Sequence, residues 1–273
     1  MKVYRSIQQP KYRSALRQKL GTAYLTLKRY MLWTFGGIKF AKKGAYELGS
    51  EHFTHQTPLL RHLRGIDISL EKNKIANLHI AIDRIHGVVL KSGEVFSFWK
   101  LIGRPTRRRG YLEGVILRRG TFGSGIGGGL CHLSGFIYWM TLHTPLTVAE
   151  RHRHGYDTTP DKLFGSDATC FYNFKDLMIK NNTAQPFQLL IEVGEDQLRG
   201  MWKSNAPPAF KYEIYEKESV IHLEEWGEYT RHNHLYRKIY DINNILVGDE
   251  FVAENHAIMM YPPASDKENP CNQ

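Results

Sequence analysis

A glycine run that opens straight onto an apolar segment constrains this chain more than any other feature. Gly127-Gly128-Gly129-Leu130-Cys131-His132 leads into Leu133 to Leu142 and, after a break at His143-Thr144-Pro145, into Glu150-Arg151-His152-Arg153-His154. Glycines allow a tight turn and close backbone approach, so the turn predicts that Cys131 enters in the first turn of a helix. A cysteine placed there, with histidines on the next segment, is how a thiolate nucleophile is built. The plainer reading of Cys131 is a small buried residue filling the turn.

The rest of the chain is read around that turn. Its 273 residues, 42% of them hydrophobic, suffice for one sizeable core with a small appendage. Lys72 to Gly87 has Ile75, Leu78, His79, Ile82 and Ile85 at helical spacing, with Gly87 as the closing residue. Val88 to Leu90, Glu94 to Trp99, Gly114 to Leu117, Leu146 to Glu150, Ala168 to Tyr172, Leu177 to Lys180 and Phe187 to Val193 read as strands. Past a boundary near Asn205-Ala206-Pro207-Pro208 come short β-rich pieces at Tyr212 to Tyr215, Ser219 to Leu223, Arg237 to Tyr240 and Ala257 to Tyr261. The expectation is an α+β fold with one mixed or antiparallel core. It divides into a basic amphipathic segment over 1–46, a core over 47–205, a β-rich extension over 206–261 packed on the core, and a polar tail over 262–273.

The net charge of +10 resides at one end. Residues 1–46 carry Lys2, Arg5, Lys11, Arg13, Arg17, Lys19, Lys28, Arg29, Lys39, Lys42 and Lys43, and no acid precedes Glu47. Leu16, Leu20, Ala23, Tyr24, Leu27, Met31 and Thr34 recur there near a 3.6-residue period, which predicts an amphipathic helix. Two readings stay open: a helix docked on the domain with a solvated basic face, or one lying on an anionic membrane surface. The apolar runs are too short to span a bilayer or to act as a secretory signal, so the expected compartment is the cytoplasm, with peripheral membrane contact possible. Nucleic acid is not expected as a partner, since no binding motif accompanies the charge.

Two cofactor patterns are present only in outline. Gly123, Gly125 and Gly128 fit a dinucleotide fingerprint, but the first glycine lies six residues past the strand, where a tight turn is required. Cys131, His152 and His154 could supply three zinc ligands, yet no second cysteine or HExxH motif anchors them. Neither a cofactor nor a metal is expected. Cys131, Cys170 and Cys271 are too scattered for a disulfide framework, and Cys170 reads as core.

Taken in order, Gly93-Glu94-Val95-Phe96-Ser97-Phe98, Ile102-Gly103-Arg104-Pro105-Thr106, Gly110-Tyr111, Gly127-Gly128-Gly129-Leu130-Cys131, Glu150-Arg151-His152-Arg153-His154, Gly165-Ser166-Asp167-Ala168-Thr169, Asp176-Leu177 and Asn181-Asn182-Thr183 resemble the signature blocks of the VanW family. The resemblance runs from about residue 65 to 195. His132 stands where the family usually has glutamine. The family takes its name from glycopeptide (vancomycin) resistance operons, so the resemblance implies association with the cell envelope and a peptidoglycan-related molecule as partner; it implies no reaction.

These blocks arrange themselves chemically. The helix dipole and free N–H groups at Cys131 lower its pKa and can hold an oxyanion; His154 can take the thiol proton, and Asp167 on the next segment can fix the imidazole tautomer. That order is the order of papain-like hydrolases, by analogy alone. The candidate catalytic residues are therefore Cys131, His154 and Asp167, with Gly128, Gly129, His132, Arg151, His152 and Arg107 as candidate substrate-binding residues. The expected activity is a cysteine-dependent hydrolase or acyl transferase on a peptidoglycan precursor; the alternatives are a module that only binds such a molecule, and a membrane-surface scaffold.

Overall fold

The structure, a computed structural model, describes residues 6–60, 67–160 and 162–263. Cys271, Lys2, Arg5, Ile66 and all but the first two residues of the polar tail fall outside it. Along the chain come α1 (Ala15–Phe35), β1 (Lys42–Lys43), β2 (Ser50–Pro58), α2 (Ile68–Ile85), β3 (Val88–Leu90), β4 (Val95–Ser97), α3 (Phe98–Ile102), a 3-10 turn at Arg107–Arg109, β5 (Glu113–Arg118), β6 (Thr121–Ile126) and α4 (Leu130–Leu142). Then follow β7 (Thr147–Glu150), β8 (Tyr156–Asp157), β9 (Met178–Lys180), β10 (Phe187–Val193), β11 (Gln197–Ser204), β12 (Lys211–Leu223), β13 (Tyr229–Tyr240) and β14 (Leu246–Met259). The fold is α+β.

A five-stranded antiparallel sheet, ordered β1-β3-β10-β11-β2, forms the floor of the core. Leu78, Ile82 and Ile85 of α2 and Leu133, Phe136, Ile137 and Met140 of α4 pack with Leu189 and Ile191 of β10 and Trp202 of β11 in one buried cluster. Each such side chain contributes about 1.5–3 kcal/mol on burial. The hairpin β5-β6 packs on α2, and β7 of the smaller sheet β4-β9-β7 packs on α4. The C-terminal strands make a separate sheet, β12-β13-β14, and β14 pairs in parallel with β8 from the middle of the chain. Asn233 donates to the Phe164 carbonyl (2.8 Å) and Asn255 accepts from Arg151 (2.7 Å), so this sheet lies against the core.

Several local expectations change. The strand predicted through Trp99 ends at Ser97, because the Ser97 hydroxyl caps α3 by accepting the Lys100 N–H while Asp176 accepts the Trp99 N–H. Ala168 to Tyr172 is irregular, with isolated bridges only at His152–Thr169 and Phe171–Lys175, since its polar groups turn to α4 rather than to a ladder. β2, β6 and β11 escape the pattern: β2 is a polar edge strand and β6 is rich in glycine. The short pieces expected after residue 208 are long strands whose alternation is broken by bulges near 217–220, 235–236 and 239–240.

Among the described residues, no helix is long and apolar enough to cross a membrane.

Candidate active site

The glycines build the turn by contact rather than by flexibility alone. A Cβ on Gly128 would stand 2.1 Å from the Gly114 carbonyl, so the β5-β6 hairpin and the turn touch backbone to backbone. Asn77 of α2 donates to the Gly128 carbonyl at 2.9 Å, and the Gly129 N–H donates to Val115 at 3.0 Å. Gly129 itself, at φ 90°, is the N-cap of α4. Cys131 is therefore the second residue of α4, in the first turn, where of the leading amides the His132 N–H bonds to the Gly129 carbonyl at 2.9 Å. Ser134, one turn on, donates to the Ala168 carbonyl at 2.6 Å and fastens the 168–170 segment beside the sulfur.

The Cys131 sulfur is half-buried, and the Cys170 carbonyl at 3.6 Å can accept its thiol proton. The Thr169 hydroxyl is 3.5 Å away, the Cys170 N–H donates to the sulfur at 3.5 Å, and the Cys170 sulfur lies at 3.7 Å. The bond from Cys170 and then the hydrogen bond and charge of His154 carry the Cys131 thiol well below its ordinary pKa against the cost of burial. Burial pushes the Cys170 thiol up instead, so of the two neighbouring sulfurs Cys131 holds the negative charge.

His154 is held by a carboxylate and couples electrostatically to that sulfur. Its Nδ1 is 2.6 Å from Asp167 Oδ2, and its backbone N–H donates to the same oxygen at 3.1 Å. With Nδ1 so engaged, Nε2 is the nitrogen left for the sulfur. Burial opposes the imidazolium, but Asp167 and Cys131 outweigh it and raise the His154 pKa to about 10. Burial likewise opposes the Asp167 carboxylate, and the bond to His154 overrides it, lowering Asp167 to about 2.

Arg151 secures the Asp167 loop. Its Nε donates to the Asp167 carbonyl (2.8 Å), Nη2 to the Gly165 carbonyl (2.7 Å) and Nη1 to Asn255 Oδ1 (2.7 Å), and its guanidinium stacks over Tyr138. These donors are committed within the protein, so Arg151 positions the acid while also walling one of the two clefts at the site. The anion-binding role expected of Arg107 moves. Arg107 is 74% exposed, pairs with Glu113 at 2.5 Å and lines neither cleft at the site.

His154 and Thr169 line a cleft of about 650 Å³, with Arg119, Arg153, Lys175 and Phe171 among its other walls. An adjoining cleft of about 560 Å³ shares Arg153 and Lys175 and includes His152. Arg119, Arg153 and Lys175 thus wall the first cleft, and Arg151 joins Arg153 and Lys175 in the second; of these, Arg119 and Lys175 did not stand out in the sequence. His152 does not join His154: its Nε2 is 3.0 Å from Glu150 Oε1, which also takes Arg29. β7 ends at Glu150, so both histidines lie beyond the strand in irregular backbone. His132 is half-buried on α4 and lines neither cleft. Among the described residues, no group of three or more His, Cys, Asp or Glu is arranged to hold a metal ion.

The neighbour that the sequence did not single out is Cys170. Thirty-nine residues separate it from Cys131, and no motif spacing reports a contact made only by folding.

Comparison with known proteins places this site in a family. Residues 73–202 match the family described as VanW like protein. The chain is 31% identical over 179 residues to the vancomycin B-type resistance protein VanW of Enterococcus faecalis (strain ATCC 700802 / V583), covering 64% of this chain and 65% of that protein. It is 29% identical over 118 residues to the uncharacterized protein YoaR of Bacillus subtilis (strain 168), covering 43% of this chain and 39% of that one. The chain thus spans just under two thirds of the first relative and less of the second. No solved structure matches it. The matched region runs from α2 into β11 and contains the glycine turn, Cys131, His154 and Asp167, so the part of the chain that carries the site is VanW-like.

Proposed function

We propose that Cys131, His154 and Asp167 form a cysteine nucleophile site that hydrolyses or transfers an acyl or amide group of a peptidoglycan precursor or related envelope molecule. The observation that carries this reading is the hydrogen bond of Asp167 to His154 beside a Cys131 thiol whose pKa is lowered at the N-terminus of α4. The Cys131 thiolate attacks the substrate carbonyl, and the first amides of α4 receive the oxyanion. The tetrahedral intermediate collapses as the His154 imidazolium gives its proton to the leaving amine, leaving a thioester on Cys131. His154, now neutral, takes a proton from water or an acceptor amine, which attacks the thioester and restores the thiolate. Asp167 holds the imidazole orientation throughout.

Arg119, Arg153 and Lys175 favour a substrate bearing carboxylate or phosphate. The resistance in the name of the Enterococcus relative points to the envelope as the source of that substrate. The proposed compartment is the cytoplasm, whose reducing conditions keep Cys131 and Cys170 as thiols.

One observation favours a module that binds the same molecule without turnover: the cleft is lined by His154 and Thr169, while the sulfur lies beneath them. Alkylation by iodoacetamide, resolved at Cys131 by peptide mass spectrometry across pH, separates the two. A nucleophile gives an inflection well below the ~8.5 of an ordinary thiol, moved upward by His154→Ala. An ordinary inflection indifferent to His154 leaves the binding module.

A further inference from the structure

The apolar stripe of α1 points away from the protein. The residues of α1 that are buried or half-buried are Gly21, Thr26, Arg29 and Trp33. Arg29 is the anchor, with both Glu150 oxygens at 2.5 and 2.8 Å and the Phe174 carbonyl at 3.2 Å. Tyr30 adds a hydroxyl contact to Tyr172 at 2.6 Å, and Lys100 lies over the Trp33 ring. A helix normally docks through its apolar side, whereas this one docks through Arg29, with Trp33 beside it on the core.

Leu16, Leu20, Leu27 and Met31, at i, i+4, i+11 and i+15, therefore share one outward face, and they are 69%, 64%, 60% and 55% exposed. Phe35, at the end of the helix, is 81% exposed. Arg17, Lys19 and Lys28 flank the stripe, Lys11 and Arg13 precede it, and none of the five has an ion-pair partner among the described residues. A one-sided apolar ridge bordered by unpaired cations, on a helix too polar to cross a bilayer, matches a surface that is apolar below and anionic above.

We infer that α1 is a docking helix that lies in the plane of an anionic phospholipid surface, its Leu16, Leu20, Leu27 and Met31 ridge in the acyl boundary and its cations among the headgroups. The segment leading into α1 also walls the cleft at His154, through Ser6, Pro10 and Tyr12, so docking sets that cleft beside the lipid. The inference does not depend on any reaction at Cys131.

Sedimentation of the whole chain with vesicles tests it, using phosphatidylcholine alone and phosphatidylcholine mixed with phosphatidylglycerol. The chain is expected to pellet with the mixed vesicles only, and to be released by salt. Lys19→Gln with Lys28→Gln should weaken partition about twenty-five-fold, or five-fold per cation at about 1 kcal/mol each. Leu20→Glu with Leu27→Glu should abolish it with the melting temperature unchanged, since neither side chain packs on the protein, and Cys131→Ala should bind as the unaltered chain does. Failure to pellet, or pelleting that survives Leu20→Glu with Leu27→Glu, overturns the inference. A dimer in sedimentation velocity that the same pair of substitutions dissolves would overturn it too, assigning the ridge to a second copy of the chain.

Discussion

His154 and Asp167 form a two-point lock, in which one carboxylate oxygen, Asp167 Oδ2, meets both the ring Nδ1 at 2.6 Å and the backbone N–H at 3.1 Å of the same histidine. The lock fixes which ring nitrogen faces Cys131, and it makes both groups' ionisation part of folding.

The stability carried by this pair has a pH window of definite sign. His154 is raised from 6.5 to about 10, so its contribution is whole below 6.5 and is lost as pH rises through about 10. Asp167 is lowered from 3.8 to about 2, so its contribution is whole above 3.8 and is lost as pH falls through about 2. The melting temperature of Asp167→Asn should therefore lie furthest below that of the unaltered chain between about pH 4 and 6.5, with the gap narrowing toward pH 10 and toward pH 2. A gap constant across pH 4 to 10 refutes the ion pair.

Cys131 and Cys170 should close a disulfide under mild peroxide. Their sulfurs need to approach by less than about 2 Å to reach the ~2.05 Å of a disulfide. Peroxide takes the Cys131 thiolate to a sulfenic acid with release of water, and the Cys170 thiol condenses with it, releasing a second water. The product loses two hydrogens by mass and no longer alkylates at Cys131 until dithiothreitol is added. Accumulation of Cys131 sulfinic acid without the bond is the contrary result.

The path from sequence to site was legible where one local pattern sufficed. The glycine turn and the apolar run after it specify α4 and the position of Cys131, because a turn followed by helical spacing is read within a dozen residues. His154 and Asp167, thirteen residues apart, meet in the fold, in backbone that lies past the end of β7 at Glu150. Roles assigned by charge depend on the fold instead. Arg151 and Arg107 looked like anion binders, and which arginine has free donors depends on carbonyls of Gly165 and Asp167 that only the folded chain brings near. On α1 the 3.6-residue period found the helix and its stripe, yet periodicity cannot say whether the stripe faces inward; the side that docks is marked by a single Arg29.

The contact between Gly128 and Gly114 predicts a steep local cost. Gly128→Ala sets a Cβ against backbone that has no side chain to swing aside, and should lower stability by about 1–3 kcal/mol in denaturant unfolding. It should also slow Cys131 alkylation at neutral pH, because the turn that aims α4 must shift. Gly123→Ala, in the same hairpin, meets nothing within 4 Å and should stay within about 0.5 kcal/mol of the unaltered chain. Equal effects at the two positions would mean that the turn yields easily and does not hold Cys131 in place.

Arg29 predicts how α1 is coupled to the site. Glu150 accepts from Arg29, from His152 and from the Asp176 N–H, and it stands four residues before His154; these partners, against burial, lower it to about 2. Arg29→Ala removes the cation and leaves a half-buried carboxylate, a loss of about 3 kcal/mol for breaking such a pair. Because the remaining α1 contacts are those of Tyr30 and Trp33, that loss should open the helix rather than the core. Limited chymotrypsin digestion should cut at the α1 aromatic residues on the order of a hundredfold faster, while the melting of the core changes little. His152→Ala removes a different partner of Glu150 and should leave the digestion rate near that of the unaltered chain. If both substitutions accelerate cleavage alike, α1 is held through the Glu150 charge network as a whole and not by the Arg29 clamp.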